Sequence, residues 1–101
     1  MQNRTRPRIF VAGHAADVER IDLVAAELAA AGFAVATPDF TPAVDADDLL
    51  ARVDDDLAAV EAAATVAYLP GAEDTLEVAH AELYGIPVRC LADVLALAVT
   101  R

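Results

Sequence analysis

Three carboxylates lie within five positions of the sequence, at Glu73, Asp74 and Glu77. They follow a short apolar run and a Pro-Gly pair and precede an apolar segment with helical spacing, so we expect them at a turn from a strand into a helix. In an open α/β sheet, ligands usually bind beyond the carboxyl ends of the strands, where the next helix begins. Carboxylates placed there can attack carbon or move protons. The sequence therefore predicts that any chemistry of this protein takes place at this turn.

Glu77 also has a purely structural interpretation. Asp74 at the N-cap and Glu77 three residues later form a variant of the capping box, and both acids complement the helix dipole. A cap residue beside a ligand crevice can serve both roles, so both interpretations stay open.

The first predicted strand ends at Gly13, followed by His14. A glycine beside a helix N-terminus lets a phosphate or sugar approach the backbone, and histidine titrates near neutrality. The alternative is an ordinary strand-to-helix turn. No G-x-G-x-x-G pattern is present, so the fingerprint of a dinucleotide site is missing. His80 lies within a predicted helix, where we expect an exposed or packing role.

Asp56 ends a run of three aspartates that begins at Asp54. Asp54 and Asp55 are predicted to face solvent, whereas Asp56 lies nearer the centre of an apolar helical stripe. An acid that borders the core side of a helix needs a partner or a pocket, so Asp56 is a candidate functional residue. The stripe consists of Leu49, Leu50, Val53, Leu57 and Val60.

Composition restricts the class of protein. The 101 residues suit one domain, and an apolar fraction of 57% excludes disorder. The net charge of −10 and the absence of lysine argue against nucleic acid as the main partner. The only basic cluster is Arg4, Arg6 and Arg8, which we interpret as solvated, with a phosphate contact as the alternative. Residues 1–7 are predicted to form a flexible tail.

Cysteine, serine and histidine usage excludes several chemistries. Cys90 is the only cysteine and cannot form an internal disulfide, which fits a reducing compartment; we expect it to be a buried structural thiol. Serine is absent, which excludes a serine hydrolase, and no zinc-ligand spacing occurs. No metal or cofactor is predicted. No apolar run approaches the roughly 20 residues that span a bilayer, so we expect a soluble, cytoplasmic protein without a membrane partner.

Apolar runs and helical periodicity predict alternating strands and helices. Gly32 and Gly85 are expected to end the first and third helices, and Asp17 is a candidate N-cap of the first. The predicted strands are residues 8–13, 33–37, 65–69 and 87–91; the predicted helices are residues 17–31, 45–64, 74–84 and 92–99. This order predicts βαβ units with parallel pairing. We expect a small Rossmann/flavodoxin-like α/β sandwich with four or five parallel strands. The many alanines make thin helices, which suggests a homodimer formed through helices.

In its strand ends, glycine turns and acidic residues, the chain resembles the nucleoside 2-deoxyribosyltransferase-like superfamily, in particular its small phage and bacterial members. The likeness covers nearly the whole length. The matching segments, in order, are Ile9-Phe-Val-Ala-Gly13, Ala31-Gly32-Phe33-Ala-Val-Ala-Thr-Pro38, Asp55-Asp56-Leu57, Val66-Ala-Tyr-Leu-Pro-Gly71, Glu73-Asp74, Leu76-Glu77-Val78-Ala79 and Gly85-Ile86-Pro87-Val88.

The resemblance implies a flavodoxin-like fold, usually as a homo-oligomer, and action on the N-glycosidic bond of a deoxynucleoside or deoxynucleotide. Glu77 would be the nucleophile that captures an oxocarbenium-like sugar, and Asp74 would handle protons near the base. Asp56 would bind the sugar or assist. The implied substrate-binding residues are Gly13, His14, Asp56, Gly71 and Glu73.

Two features depart from the pattern of that family, and the first of them favours other classes of function. The turn between Asp74 and Glu77 is shorter than in that family, and His14 stands where the family commonly has proline or an aromatic residue. A nucleotide-binding or protein-interaction module that has lost the active-site loop is therefore the main alternative, and a purely structural oligomer is the third.

Overall fold

Strands and helices alternate along the chain, as the apolar runs predict. The computed structural model describes residues 7–99. The elements are β1 (Arg8–Ala12), α1 (Val18–Ala30), β2 (Ala34–Ala36), α2 (Ala46–Glu61), β3 (Thr65–Tyr68), α3 (Leu76–Leu83), β4 (Val88–Cys90) and α4 (Leu91–Val99), with a single 3₁₀ turn at Ala15–Asp17 before α1. The observed elements are shorter than predicted by one to three residues at several ends, where the sequence signals are weakest.

The four strands form one parallel sheet in the order β2-β1-β3-β4. Phe10 in β1 is in register with Ala36 of β2 and Val66 of β3, and Val66 is in register with Val88 of β4. The predicted α/β class with a Rossmann/flavodoxin-like parallel sheet is confirmed.

Helices cover both faces of the sheet. Because successive strand residues point to opposite faces, Ile9 and Val11 of β1 pack against α1 and α4, while Phe10 and Ala12 pack against α2 and α3. Burial on both faces explains why the central strands are apolar throughout.

The first half of α2 extends beyond the sheet. The helix has 16 residues, or roughly 24 Å, whereas strands of three to five residues span roughly 10–16 Å. Leu49 and Leu50 are consequently 54% and 62% exposed, and only Val60 of the predicted stripe is fully buried. The prediction that the whole stripe faces the core is therefore wrong for its first turn.

Two predicted helix ends are confirmed and one predicted cap is not. Gly32 and Gly85 follow α1 and α3 with φ of +103° and +71°, values that glycine adopts without strain. Asp17 holds the N-cap position of α1, but its side chain makes no capping hydrogen bond. Its backbone (φ −101°, ψ 14°) is not extended, so its side chain is not directed at the first N–H groups of the helix.

Other predictions from the sequence have mixed outcomes. Cys90 is half-buried at the end of β4 rather than fully buried, because β4 is an edge strand.

Asp54 and Asp55 are exposed, as predicted. Arg4, Arg6 and most of the predicted tail lie outside the described residues, while Arg8 is an exposed residue of β1. Among residues 7–99, no helix combines the length and the apolar character needed to cross a bilayer.

Candidate functional site

The turns after β1 and β3 lie side by side at the carboxyl edge of the sheet. These two strands are neighbours in the centre of the sheet. From β1 the chain passes through α1 to β2 on one side, and from β2 it passes through α2, on the other face, to β3. The point where the chain direction reverses is the usual ligand-binding crevice of an open α/β sheet.

His14 connects these two turns. Its Nε2 lies 3.1 Å from the carbonyl oxygen of Gly71, so the Nε2–H donates from one turn to the other. The same nitrogen lies 3.6 Å from a carboxylate oxygen of Asp74. Asp74 is 83% exposed and His14 is half-exposed, so their attraction is weak and screened by solvent. Glu73 is exposed in the same turn as Gly71 and Asp74. Four predicted site residues therefore lie together: His14, Gly71, Glu73 and Asp74.

Helix α3 begins two residues later than predicted. Its N-cap is Thr75, whose hydroxyl oxygen accepts from the Val78 N–H at 3.4 Å and donates to the Ala72 carbonyl at 2.9 Å. The predicted capping box between Asp74 and Glu77 is therefore wrong. The extended backbone of Thr75, which is buried, brings its hydroxyl oxygen to the third N–H of the helix. Asp74 precedes the cap position and is exposed. Glu77 is the second residue of α3, and its capping explanation no longer holds.

Asp56 lies on α2, where its carboxylate faces the end of β2. Both carboxylate oxygens lie 3.4 Å from the backbone nitrogen of Asp39. Burial raises the pKa of Asp56 above the ordinary value, and the negative charges of Glu77, Asp39 and Asp55 raise it further; the N–H of Asp39 opposes these effects. The negative charge of Glu77, on α3, thus acts on Asp56, on α2. Both residues belong to the candidate site.

Asp39 belongs to the site although it was not among the predicted residues. It follows β2 by three positions, and its Oδ1 accepts from the Thr41 N–H at 3.0 Å. This bond, with a smaller effect from Arg52, lowers the pKa of Asp39. The signal that could have identified Asp39 is its position, since the carboxyl ends of all parallel strands meet at one edge of the sheet.

Gly13 has a packing role that the sequence does not reveal. It is buried, and a Cβ atom placed on it would lie 2.8 Å from Cδ1 of Ile21 on α1. The absence of a side chain lets α1 pack closely against the start of the turn. Its predicted contact with a ligand stays a prediction.

His80 connects α3 to α2 on the side of the helices away from the crevice. Its Nε2 lies 2.8 Å from a carboxylate oxygen of Glu61, and its ring lies 4.5 Å from that of Tyr84, centroid to centroid. The imidazole is only 14% exposed. Of the two predicted roles, exposed or packing, the packing role is confirmed.

Two cavities lie away from these residues. One of about 330 Å³ lies between the edge strand β2 and the last turns of α2, lined mainly by alanine side chains. Another of about 90 Å³ lies at the amino ends of β1 and β3, near Arg89 and Val94. Neither includes a predicted site residue. Within residues 7–99, no group of three or more His, Cys, Asp or Glu side chains could hold a metal ion.

Comparisons with protein-family models, curated proteins and solved structures give no match to this chain. The residues, their geometry and the resemblance described above are therefore the grounds for a functional proposal.

Proposed function

We propose that this chain is a nucleoside 2-deoxyribosyltransferase-like protein that cleaves or transfers at the N-glycosidic bond of a deoxynucleoside or its monophosphate. The main support is the placement of Asp56 on α2 and Glu77 on α3 at the carboxyl edge of the sheet, where the charge of Glu77 helps to raise the pKa of Asp56. Two acids with different environments can take different roles in cleaving a glycosidic bond.

Glu77 is the proposed nucleophile. A carboxylate oxygen of Glu77 attacks the anomeric carbon of the sugar while the carbon–nitrogen bond breaks, and the base leaves with the bonding electron pair. Asp74 supplies the proton that the base accepts. In the second step, water or another base attacks the same carbon and passes its proton to Asp74, and the sugar–carboxylate ester breaks to restore Glu77.

Asp56 is proposed to bind the sugar. Its raised pKa keeps a proton on the carboxyl group to a higher pH than in an ordinary aspartate, so that it can donate to a sugar oxygen. The Asp39 N–H fixes the direction of the carboxyl group. Gly13, His14, Gly71 and Glu73 would line the rest of the site.

An unphosphorylated nucleoside is the preferred substrate. The site residues are mainly acidic and the chain has no lysine, so the local charge opposes a phosphate group. The proposal also includes a cytoplasmic setting and a homodimer, as expected from the single cysteine and the alanine-rich helices.

A non-catalytic nucleotide-binding or protein-interaction module is the second candidate. The supporting observation is the His14–Gly71 bond, which joins the two turns where a substrate would enter.

Base release separates the two candidates. The protein is incubated with deoxynucleosides and their monophosphates, with and without an acceptor base, and free base is measured by chromatography. We expect slow release that Glu77→Gln abolishes while the thermal midpoint stays nearly unchanged. Release that persists in Glu77→Gln contradicts the assigned nucleophile, and a ligand-induced thermal shift without release supports the binding module.

A further inference from the structure

Three charged side chains of α2 form a row along one face of the helix. Asp48, Arg52 and Asp56 are spaced four residues apart, so they lie one above another. We call them the α2 polar row. The segment 39–44, between β2 and α2, runs along this row in the opposite direction.

Each member of the row bonds a backbone group of the segment 39–44. Asp48 accepts from the Val44 N–H at 3.0 Å, Arg52 donates through Nη1 to the Thr41 carbonyl, and Asp56 faces the Asp39 N–H. The segment is thereby attached to the helix at three successive points.

Arg52 is the central member of the row and makes the most contacts. Its Nη2 lies 2.9 Å and its Nε 3.4 Å from the two carboxylate oxygens of Asp48, and its Nη1 lies 3.8 Å from Oδ1 of Asp39. The Arg52 side chain is 20% exposed, less than the side chain of either acid that it contacts. A planar guanidinium can bond a carboxylate and a carbonyl at once, which a lysine ammonium cannot do with the same geometry.

We propose that Arg52 is a positioning residue for Asp56: it holds the segment 39–44 against α2 so that the Asp39 N–H is directed at the Asp56 carboxylate. The consequence for turnover rests on the proposed function, but the positioning itself does not. Arg52 is one helical turn from Asp56 and acts on it through the loop.

The charges around Asp56 set the expected direction of the effect. Asp39 from the loop, Glu77 from α3 and Asp55 from α2 all oppose ionisation of Asp56, and the Asp39 N–H favours it. Loss of Arg52 would release that N–H and also leave the Asp39 carboxylate without its nearby cation. Both changes favour the protonated form of Asp56, so its titration midpoint moves to higher pH.

NMR of the full chain tests this proposal without any substrate. The Asp39 amide and the Asp56 side-chain carboxyl carbon are followed through a pH titration in wild type, Arg52→Gln and Arg52→Lys, and Asp56→Asn assigns the transition that belongs to Asp56. Arg20→Gln is the matched control, since Arg20 is an exposed arginine on α1. We expect the Asp39 amide to follow the Asp56 titration in wild type and in the control only, with the Asp56 midpoint at higher pH in both Arg52 variants.

The outcomes are distinct. The proposal is overturned if the Asp39 amide still follows the Asp56 titration in Arg52→Gln. It is also overturned if the Asp39 amide and the Asp56 midpoint in Arg52→Lys match those of wild type, because positive charge alone would then suffice. Arg52→Lys decides the matter if Arg52→Gln does not fold. Where wild type releases base, we expect kcat in Arg52→Gln to fall roughly tenfold. Absence of turnover in wild type would contradict the proposed function and leave the NMR result standing.

Discussion

The backbone nitrogen of Asp39 lies 3.4 Å from each oxygen of the Asp56 carboxylate. This contact joins the segment that follows β2 to the middle of α2, seventeen residues further along the chain. It gives a half-buried aspartate one favourable partner among three neighbouring acids. Burial and the charges of the three acids outweigh that single N–H, so the pKa of Asp56 is raised and its ionised form is disfavoured in the folded protein.

Asp56→Asn is expected to stabilise the protein at pH 7. Burial, with the charge of Glu77, raises the native pKa of Asp56 above its ordinary value of 3.8. The folded state therefore binds more protons than the unfolded state between the two values, and the contribution of Asp56 to stability falls as pH rises through that window. Thermal unfolding should show a higher midpoint for Asp56→Asn at pH 7 and a shrinking difference as pH approaches 3.8.

Asp54→Asn is the matched control for this prediction, because Asp54 is exposed on the same helix. Its midpoint should stay near that of wild type at both pH values. A lower midpoint for Asp56→Asn at pH 7 would mean that the Asp39 N–H outweighs burial and repulsion.

Thr75→Ala should destabilise the protein more than Glu77→Gln. Thr75 is the buried N-cap of α3, and loss of such a cap costs about 1 kcal/mol. Glu77 gains about 0.3–1 kcal/mol from the helix dipole as a partly exposed acid, and its unfavourable charge effect on Asp56 offsets part of that gain. The free energies of unfolding in urea measure both changes, and Thr75→Ser keeps the capping oxygen as a control. If Asp74→Ala is more destabilising than Thr75→Ala, the assigned cap is wrong.

Gly13→Ala should be destabilising unless Ile21 becomes smaller. The new Cβ would lie 2.8 Å from Cδ1 of Ile21, a buried atom, and such overpacking costs about 1–3 kcal/mol. Ile21→Val removes Cδ1 at a cost of about 1 kcal/mol. The double variant should therefore lose less free energy of unfolding than the sum of the two single variants. Simple additivity would show that the contact does not limit the size of residue 13.

The architecture could be predicted from the sequence because its signals are local. Apolar runs that end in glycine or proline predict the strands, and alternation with helices predicts the parallel sheet. The limits of that method appear at Leu49 and Leu50. Their spacing fits the apolar stripe of α2, but periodicity does not report the length of the neighbouring strands, and short strands leave the first turns of α2 without a surface to cover.

The site could be predicted only in part, for a related reason. Its place beside Glu73, Asp74 and Glu77 follows from topology, whereas the choice between Asp74 and Thr75 as cap depends on backbone angles that both residue types can adopt. The role of Arg52 depends on how an irregular segment returns along α2. The four-residue spacing between Arg52 and Asp56 was a usable signal. The groups of the segment 39–44 to which these side chains hydrogen-bond are backbone atoms, however, and backbone atoms leave no pattern in the sequence.

The hydrogen bond between His80 and Glu61 should stabilise the folded protein. It joins α3 to α2, so it also holds together the two helices that carry the site. Glu61 is on α2, as is Asp56, and His80 is on α3, one turn after Glu77. The Nε2–carboxylate distance of 2.8 Å and the low exposure of the imidazole favour a charge-assisted hydrogen bond. In a double-mutant cycle of His80→Ala and Glu61→Ala, we expect an interaction free energy of about 0.5–1 kcal/mol that decreases at high salt. A cycle of His80→Ala with Glu82→Ala, an exposed acid on the same helix, should give none, and equal values in the two cycles would contradict a specific bond.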